Sequence, residues 1–296
     1  MSNRKVIVTV APTGGMAKKA QNPNLPTQPE EIAESIFKSW KAGASIAAIH
    51  ARRPDDEATC NAGIYRRINE LVRERTNIIT NNSTGGGVDG DIMVERPDGL
   101  WEANFEERIK GLDAGAEMAT FDGFTVCATF NGRDMLVPTS PSQCDRMAEI
   151  FTERQIKPEW EVFNPAHIMQ DMTRLIAKGF DKPPYYVNIV LGVDRGFQGA
   201  MPYSNDILSQ MVKLLPPQAI WCVSAVGNAQ VPATTQALLL GGHVRVGLED
   251  NLMYSKGVHA TNEMQVERQI RIMSELGMEP ASPGEAREMI GLPARN

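Results

Sequence analysis

Short, β-branched apolar runs alternate along the chain with segments whose apolar residues recur at helical spacing, and the alternation continues from one end to the other. The runs predict eight strands, at residues 5–11, 45–51, 77–82, 117–121, 158–163, 186–191, 220–226 and 243–248. Each is apolar on both faces or nearly so, as parallel strands covered by helices are. Helical patterns fill the intervals at 29–42, 64–75, 105–114, 142–154, 165–178, 204–214, 232–240 and 262–276. The first shows the expected punctuation, with Thr27 ahead of it, Glu30 and Glu31 in its opening turn and Gly43 just past its end. Eight strands, each followed by a helix, are the count of a (β/α)8 TIM barrel in the α/β class. A single domain over 1–296 follows, with a short extra C-terminal helix at 283–292. The same alternation also builds an open, doubly wound sheet, which is the alternative architecture.

Composition narrows the function. The chain has 296 residues, 42% hydrophobic and 22% charged, enough for one barrel-sized core. Its net charge of −6, with no cluster of lysines and arginines, argues against a nucleic-acid partner. Cys60, Cys127, Cys144 and Cys222 form no C-x-x-C pair, which points to free thiols and a cytoplasmic, reducing location. The apolar run near the N-terminus is short, and no stretch approaches the roughly 18 apolar residues of a membrane helix, so neither targeting nor membrane association is expected.

In a barrel of this kind, chemistry collects where strands end and the following loops begin. That rule selects Thr13 and Gly14, His50 and Arg52, Asn82, Ser83 and Thr84, Asp122, Glu161 and Asn164, residues 192–199, Asn228 and Gln230, and Glu249 and Asp250. The stretch GGHVRVGLEDN from Gly241 is the most informative. Val244, Val246 and Leu248 alternate with Arg245 and Gly247, so Arg245 points away from its apolar neighbours, and two consecutive acids close the strand. One acid is placed to pair with Arg245 and the other to face a cation. His50 ends a strongly apolar strand, and imidazole with carboxylate is a common ligand pair for zinc. The glycine-rich loop STGGGVDG from Ser83 has amides able to approach a carboxylate or phosphate, and Arg195, in a second glycine-rich loop, is a candidate phosphate contact.

Several blocks act together: TVAPTGG from Thr9, NPNLPTQPEEIA from Asn22, GASIAAIHAR from Gly43, NSTGGG from Asn82, EMAT from Glu117, KPEWEVF from Lys157, VLGV from Val190, GGHVRVGLEDN, and YSKGV from Tyr254. This set resembles the β-keto acid cleavage enzyme family, over essentially the whole chain. The resemblance implies a zinc-dependent barrel in which a β-keto acid and acetyl-CoA are converted to acetoacetate and a new acyl-CoA by a retro-Claisen exchange. It implies Asp250 as the base, Arg245 as the group that holds and tunes it, Ser83 as a substrate contact and Glu161 as a positioning group. Thr84, Gly85, Asn228 and Thr13 are expected around the substrate, and His50 and Glu249 are expected to ligate a divalent metal, zinc. A homo-oligomer, in the form of a tetramer, is implied as well.

The chain departs from the family pattern at three places. The family's H-x-H at the end of strand 2 reads Ala48-Ile49-His50, which removes one metal ligand. Cys60 lies in the following loop as a conceivable substitute, whereas His243 belongs to the opposite end of its strand. Met16 stands where a family member acting on an amino-substituted keto acid has a glutamate, so a cationic substrate is not expected. A neutral or apolar tail, or an anionic one met by Arg52, Arg53 or Lys18, suits these residues better. The usual G-R-x-x turn after strand 7 reads GNAQ from Gly227, which puts the uncharged Asn228 in place of an arginine. Two rival functions follow: a metal-independent lyase or aldolase using Asp250, Arg245 and Ser83, and a non-catalytic carboxylate-binding barrel.

Overall fold

Val8 and Val10 lie directly beside Val244 and Val246, because the last strand of the sheet pairs in parallel with the first. That pairing separates a closed barrel from an open sheet. The computed structural model describes residues 4–130 and 132–294; residues 1–3, 131 and 295–296 of the expected 1–296 domain lie outside the described residues. Among the described residues, eight parallel strands close into a barrel. They are β1 (Val8–Val10), β2 (Ile46–Ile49), β3 (Ile79–Asn82), β4 (Met118–Phe121), β5 (Lys157–Val162), β6 (Tyr185–Leu191), β7 (Ala219–Ala225) and β8 (His243–Val246). Each pairs with its sequence neighbours, from Thr9 opposite Ile46 round to Trp160 opposite Phe121.

Helices cover the outside of the barrel: α1 (Pro29–Lys41), α2 (Ala62–Arg75), α3 (Phe105–Arg108), α4 (Pro141–Glu153), α5 (Thr173–Ala177), α6 (Asn205–Leu214), α7 (Gln230–Leu239) and α8 (Asn262–Glu275). Their starts follow from local chemistry. The Glu31 carboxylate reaches back to accept the Thr27 and Gln28 amides ahead of α1. Ser140 and Gln143 cap one another's amides at the start of α4, and Asn61 accepts two amides at the start of α2. The interval 165–178 is less regular than its pattern predicts, opening with a π-helical turn at His167–Met172 before α5.

The main core lies between strands and helices, where outward side chains such as Val244, Val246 and Ile49 meet Ile32, Ile36 and Tyr65. Fully burying a side chain of this size contributes roughly 1.5–3 kcal/mol. The interior floor is sealed by Ile7, Ile46, Ile79 and Met118 packed on Ala286 and Ile290 of the final helix, α9 (Pro283–Ile290). The barrel is therefore open at one end.

Two features depart from the pattern. The predicted strand 5–11 is divided: Arg4–Val6 turns below the barrel to pair with Met278–Pro280, and only Val8–Val10 enters it. The loops after β3 and β4 also grow a separate four-stranded sheet, in the order Val126–Phe130, Arg133–Val137, Trp101–Ala103, Met93–Glu95. This sheet walls one side of the open end. No helix among the described residues is long and apolar enough to cross a membrane.

Candidate active site

Arg245 points into the barrel because its neighbours Val244 and Val246 face the helices, and it is only 4% exposed. Immediately after it the chain turns back. Gly247 has a φ of +141°, and a Cβ there would sit 2.1 Å from the Ala11 carbonyl oxygen, so the turn requires glycine. The reversal folds Glu249 and Asp250 over the guanidinium. Asp250 accepts from Nε and Nη2 at 3.1 Å each, Glu249 Oε1 accepts from Nη2 at 2.5 Å, and Glu161 Oε1, from β5, accepts from Nη1 at 3.2 Å. One cation thus holds three carboxylates from two strand ends.

The surroundings divide those carboxylates chemically. Burial alone raises all three, and the outcome depends on what opposes it. Arg245 and His50 hold Glu249 down at about 2. Burial, aided by the neighbouring Glu249 charge, leaves Asp250 at about 6 despite Arg245. Glu161 lies well above the usual carboxylate range through burial and the nearby charge of Asp122. Arg245 itself is driven upward by Asp250, Glu249 and Glu161, which outweigh its burial. Glu249 is therefore a fixed anion, and Asp250 is a carboxylate poised to gain and lose a proton near neutrality.

His50 completes the cluster. Its Nδ1 donates to the Gly86 carbonyl at 2.7 Å, and its Nε2 lies 3.4 Å from Glu249 Oε1. Gly14 allows this approach: its φ is +63°, and a Cβ on it would stand 2.5 Å from Glu249 Cγ. These are the two groups expected to hold a divalent metal. Glu249 Oε2 is buried without a hydrogen-bond partner, as a ligand oxygen would be. The remaining donors do not fit a metal. Catalytic zinc sites take three protein ligands, and no group of three or more histidine, cysteine, aspartate or glutamate side chains among the described residues is arranged to hold an ion. Cys60 does not fill the gap; it is buried behind the Gly86 backbone, and burial pushes its thiol up to about 12. The expected zinc ligation is thus incomplete at Ala48.

Of the expected substrate contacts, Ser83 and Gly85 line the cavity beside the cluster, with the Ser83 hydroxyl accepting the Gly85 amide at 3.1 Å. Thr84, Thr13 and Asn228 do not line it. The Thr84 hydroxyl donates to the Thr120 carbonyl and its amide to the Thr120 hydroxyl, which ties the loop after β3 to β4. Thr13 is fully buried away from the cavity. Asn228 is exposed on a separate surface groove with Tyr254 and Arg268. Arg195 is exposed and does not line the cavity. His243 accepts the Ile7 amide at the closed end of the barrel, as its place in the strand predicts.

The cavity encloses about 1050 Å³, its open mouth included. Two contributors were not singled out as a pair in the sequence. Arg108 is buried and donates to Thr84 O, Pro138 O and Thr139 Oγ1, and its Nη2 faces Asp122 Oδ2 at 3.9 Å. Opposite the charged cluster stands an apolar wall that includes Phe124, Phe163 and Phe197. Phe163 closes a predicted strand while Phe124 and Phe197 lie in loops, and only the fold turns all three toward one cavity.

A (β/α)8 barrel with an arginine-gathered carboxylate cluster at the carboxyl ends of its strands defines the class as a barrel enzyme. The sequence matches the family model described as beta-keto acid cleavage enzyme over residues 5–292, and the chain belongs to that family. It is 35% identical to a 3-keto-5-aminohexanoate cleavage enzyme of Fusobacterium nucleatum, over 97% of this chain and 98% of that one. It is 29% identical to a 3-dehydrocarnitine:acetyl-CoA trimethylamine transferase of Rhizobium meliloti, over 99% and 98%. A 3-oxoadipate:acetyl-CoA acetyltransferase of Cupriavidus necator is 28% identical, over 97% and 95%. Among solved structures, apo ObcA superposes with a TM-score of 0.70 at 22% identity, covering 91% of this chain and 66% of that chain, which is a likeness of fold.

Proposed function

We propose that this protein catalyses acyl exchange between a β-keto acid and acetyl-CoA, releasing acetoacetate and a new acyl-CoA. The observation that carries the reading is Asp250, held in two-point contact by Arg245 at the cavity and raised to about 6. In this scheme Asp250 removes a proton from C2 of the keto acid. The carbanion forms a bond to the acetyl carbonyl carbon, the thioester C–S bond breaks, and CoA thiolate leaves. The thiolate then attacks the C3 carbonyl, the C2–C3 bond breaks, and the proton returns from Asp250 to C2. Atoms balance, and Asp250 ends as it began. Arg245 keeps its carboxylate aimed, Glu161 fixes Arg245 from the opposite side, and Ser83 with Gly85 steadies the substrate beside the cluster. The names of the relatives, which pair β-keto acids with acetyl-CoA, support the same co-substrates for this chain.

The zinc-assisted form of the reaction is the less supported version, because His50 and Glu249 are one protein ligand short. The orphaned Glu249 Oε2 is the single observation in its favour. Purified protein incubated with acetyl-CoA and a set of β-keto acids tests the proposal, with acetoacetate and acyl-CoA measured by mass and metal content measured in parallel. Formation of both products in equal amounts is expected. Keto acid consumption without acyl-CoA would favour the lyase alternative, and binding without any product would favour the non-catalytic barrel.

A further inference from the structure

We propose that the β-keto acid taken by this site carries an uncharged hydrocarbon tail on its C3 carbonyl; this rests on the acyl-exchange reading above. The cavity has two unlike sides. His50, Arg245, Glu249 and Asp250 stand on one, where the reacting carbons and the substrate carboxylate belong. The other is built from Phe124, Phe163, Phe197, Val190, Met135 and Val137. Its aromatic part is pinned in place: Phe124 meets Phe163 edge-on at 5.0 Å, and Phe163 lies 6.0 Å from Phe197. Behind them His167 stacks on Phe124 at 3.7 Å and accepts the Phe163 amide. A firm apolar wall of this kind rewards hydrocarbon and leaves a charged tail desolvated without a partner.

Arg52, Arg53 and Lys18, the cations expected to receive an anionic tail, are already committed. Arg52 is buried and donates to the backbone oxygens of Gly14, Thr13, Ala17 and Asp56. Arg53 is paired with Asp55 and Glu57, and Lys18 with Asp89. None of these three lines the cavity. Arg108 does, and its buried Nη2 has no hydrogen-bond partner, but the Asp122 carboxylate 3.9 Å away offsets its charge, so the pair offers no net charge to a tail of either sign. At the rim, Met16 adds apolar surface.

The test compares kcat/KM, with acetyl-CoA saturating, for 3-oxopentanoate, 3-oxohexanoate and 3-oxooctanoate against 3-oxoglutarate, 3-oxoadipate and 5-amino-3-oxohexanoate. The expected result is a rise of about fourfold per added methylene until the wall is reached, with charged tails at least tenfold below the best alkyl substrate. A charged substrate ranking first overturns the inference and leaves the acyl-exchange reading standing. Turnover of none overturns that reading. In that event, calorimetric binding of the matching 3-hydroxy acids decides the tail question separately, with tighter binding of alkyl tails supporting it and equal or weaker binding overturning it. The Val137→Arg variant adds a second readout and should shift preference toward 3-oxoadipate. An unchanged ranking in the folded variant counts against the assigned wall.

Discussion

Asp250 receives two parallel hydrogen bonds from Nε and Nη2 of Arg245, each 3.1 Å long. A carboxylate gripped this way keeps its orientation through a proton transfer, and burial still holds its pKa near 6. Asp250→Asn keeps the shape and removes the base, so kcat is expected to fall roughly 10²- to 10⁴-fold with little change in thermal stability. In the wild type only the ionised form accepts a proton, so kcat/KM should rise with pH through about 6 and then level. A flat profile from pH 5 to 8, or near-normal rates in the asparagine variant, would remove Asp250 from the role of base.

Arg245 separates negative charges as well as aiming one of them. Arg245→Lys retains a cation and loses the planar fork that serves Asp250, Glu249 and Glu161 together. With the two-point hydrogen bonding to its carboxylate lost, Asp250 should titrate higher, so the acidic limb of the rate profile moves upward while kcat falls. Removing the charge altogether, as in Arg245→Met, leaves buried carboxylates unpaired and should cost about 3–5 kcal/mol of stability. Denaturant titration and rate profiles measured side by side check both statements. A lysine variant with an unmoved acidic limb would contradict the coupling.

Ala48 and His50 sit two residues apart at the end of β2 and share its inward face. Ala48→His should supply the third ligand that the His50 and Glu249 pair lacks. Zinc measured by elemental analysis is expected to approach about one per chain in the variant. The wild type should hold substoichiometric metal and keep its activity in the presence of a chelator. Stoichiometric zinc in the wild type would mean that two protein ligands suffice here.

Deeper in the barrel, Glu159 is fully buried beneath the site and accepts from Asn81. Burial pushes its carboxyl from 4.5 up to about 7, against the pull of Arg245. A carboxyl with a folded pKa above its unfolded value favours folding while protonated. That contribution is full below the unfolded pKa and is lost as pH rises through the folded one. Glu159→Gln should therefore resemble the wild type in stability at pH 5 and exceed it at pH 8, by something of order 2 kcal/mol. An equal difference at both pH values would show that the proton at Glu159 has no part in it.

Much of this arrangement was legible in the chain, for physical reasons that vary by residue. The barrel strands declare themselves because both faces are buried, and Arg245 stands out because it interrupts such a strand. Ser83, Gly85, Glu161, Glu249 and Asp250 come together because each lies at a strand end or within four residues past one. Thr84, Thr13 and Asn228 also lie just past strand ends, but the direction a side chain takes within a turning loop is not encoded by sequence spacing. Thr84, for instance, is drawn to Thr120. The side sheet was missed because its strands are partly exposed and so lack the continuous apolar runs that mark the barrel strands. The alternation around Phe130-Asn131-Gly132-Arg133 is a hairpin signature that would have revealed half of it.

That side sheet couples parts of the chain distant in sequence. Met135 pairs with Trp101, joining the segments after β3 and β4, and Ala128 bridges to Phe197 in the segment after β6. Three connecting segments are thereby laced into one panel that stands or shifts as a unit. Exchanging a single segment with a relative would tear that lacing. Chimaeras intended to transplant another member's preference into this scaffold should carry all three segments together.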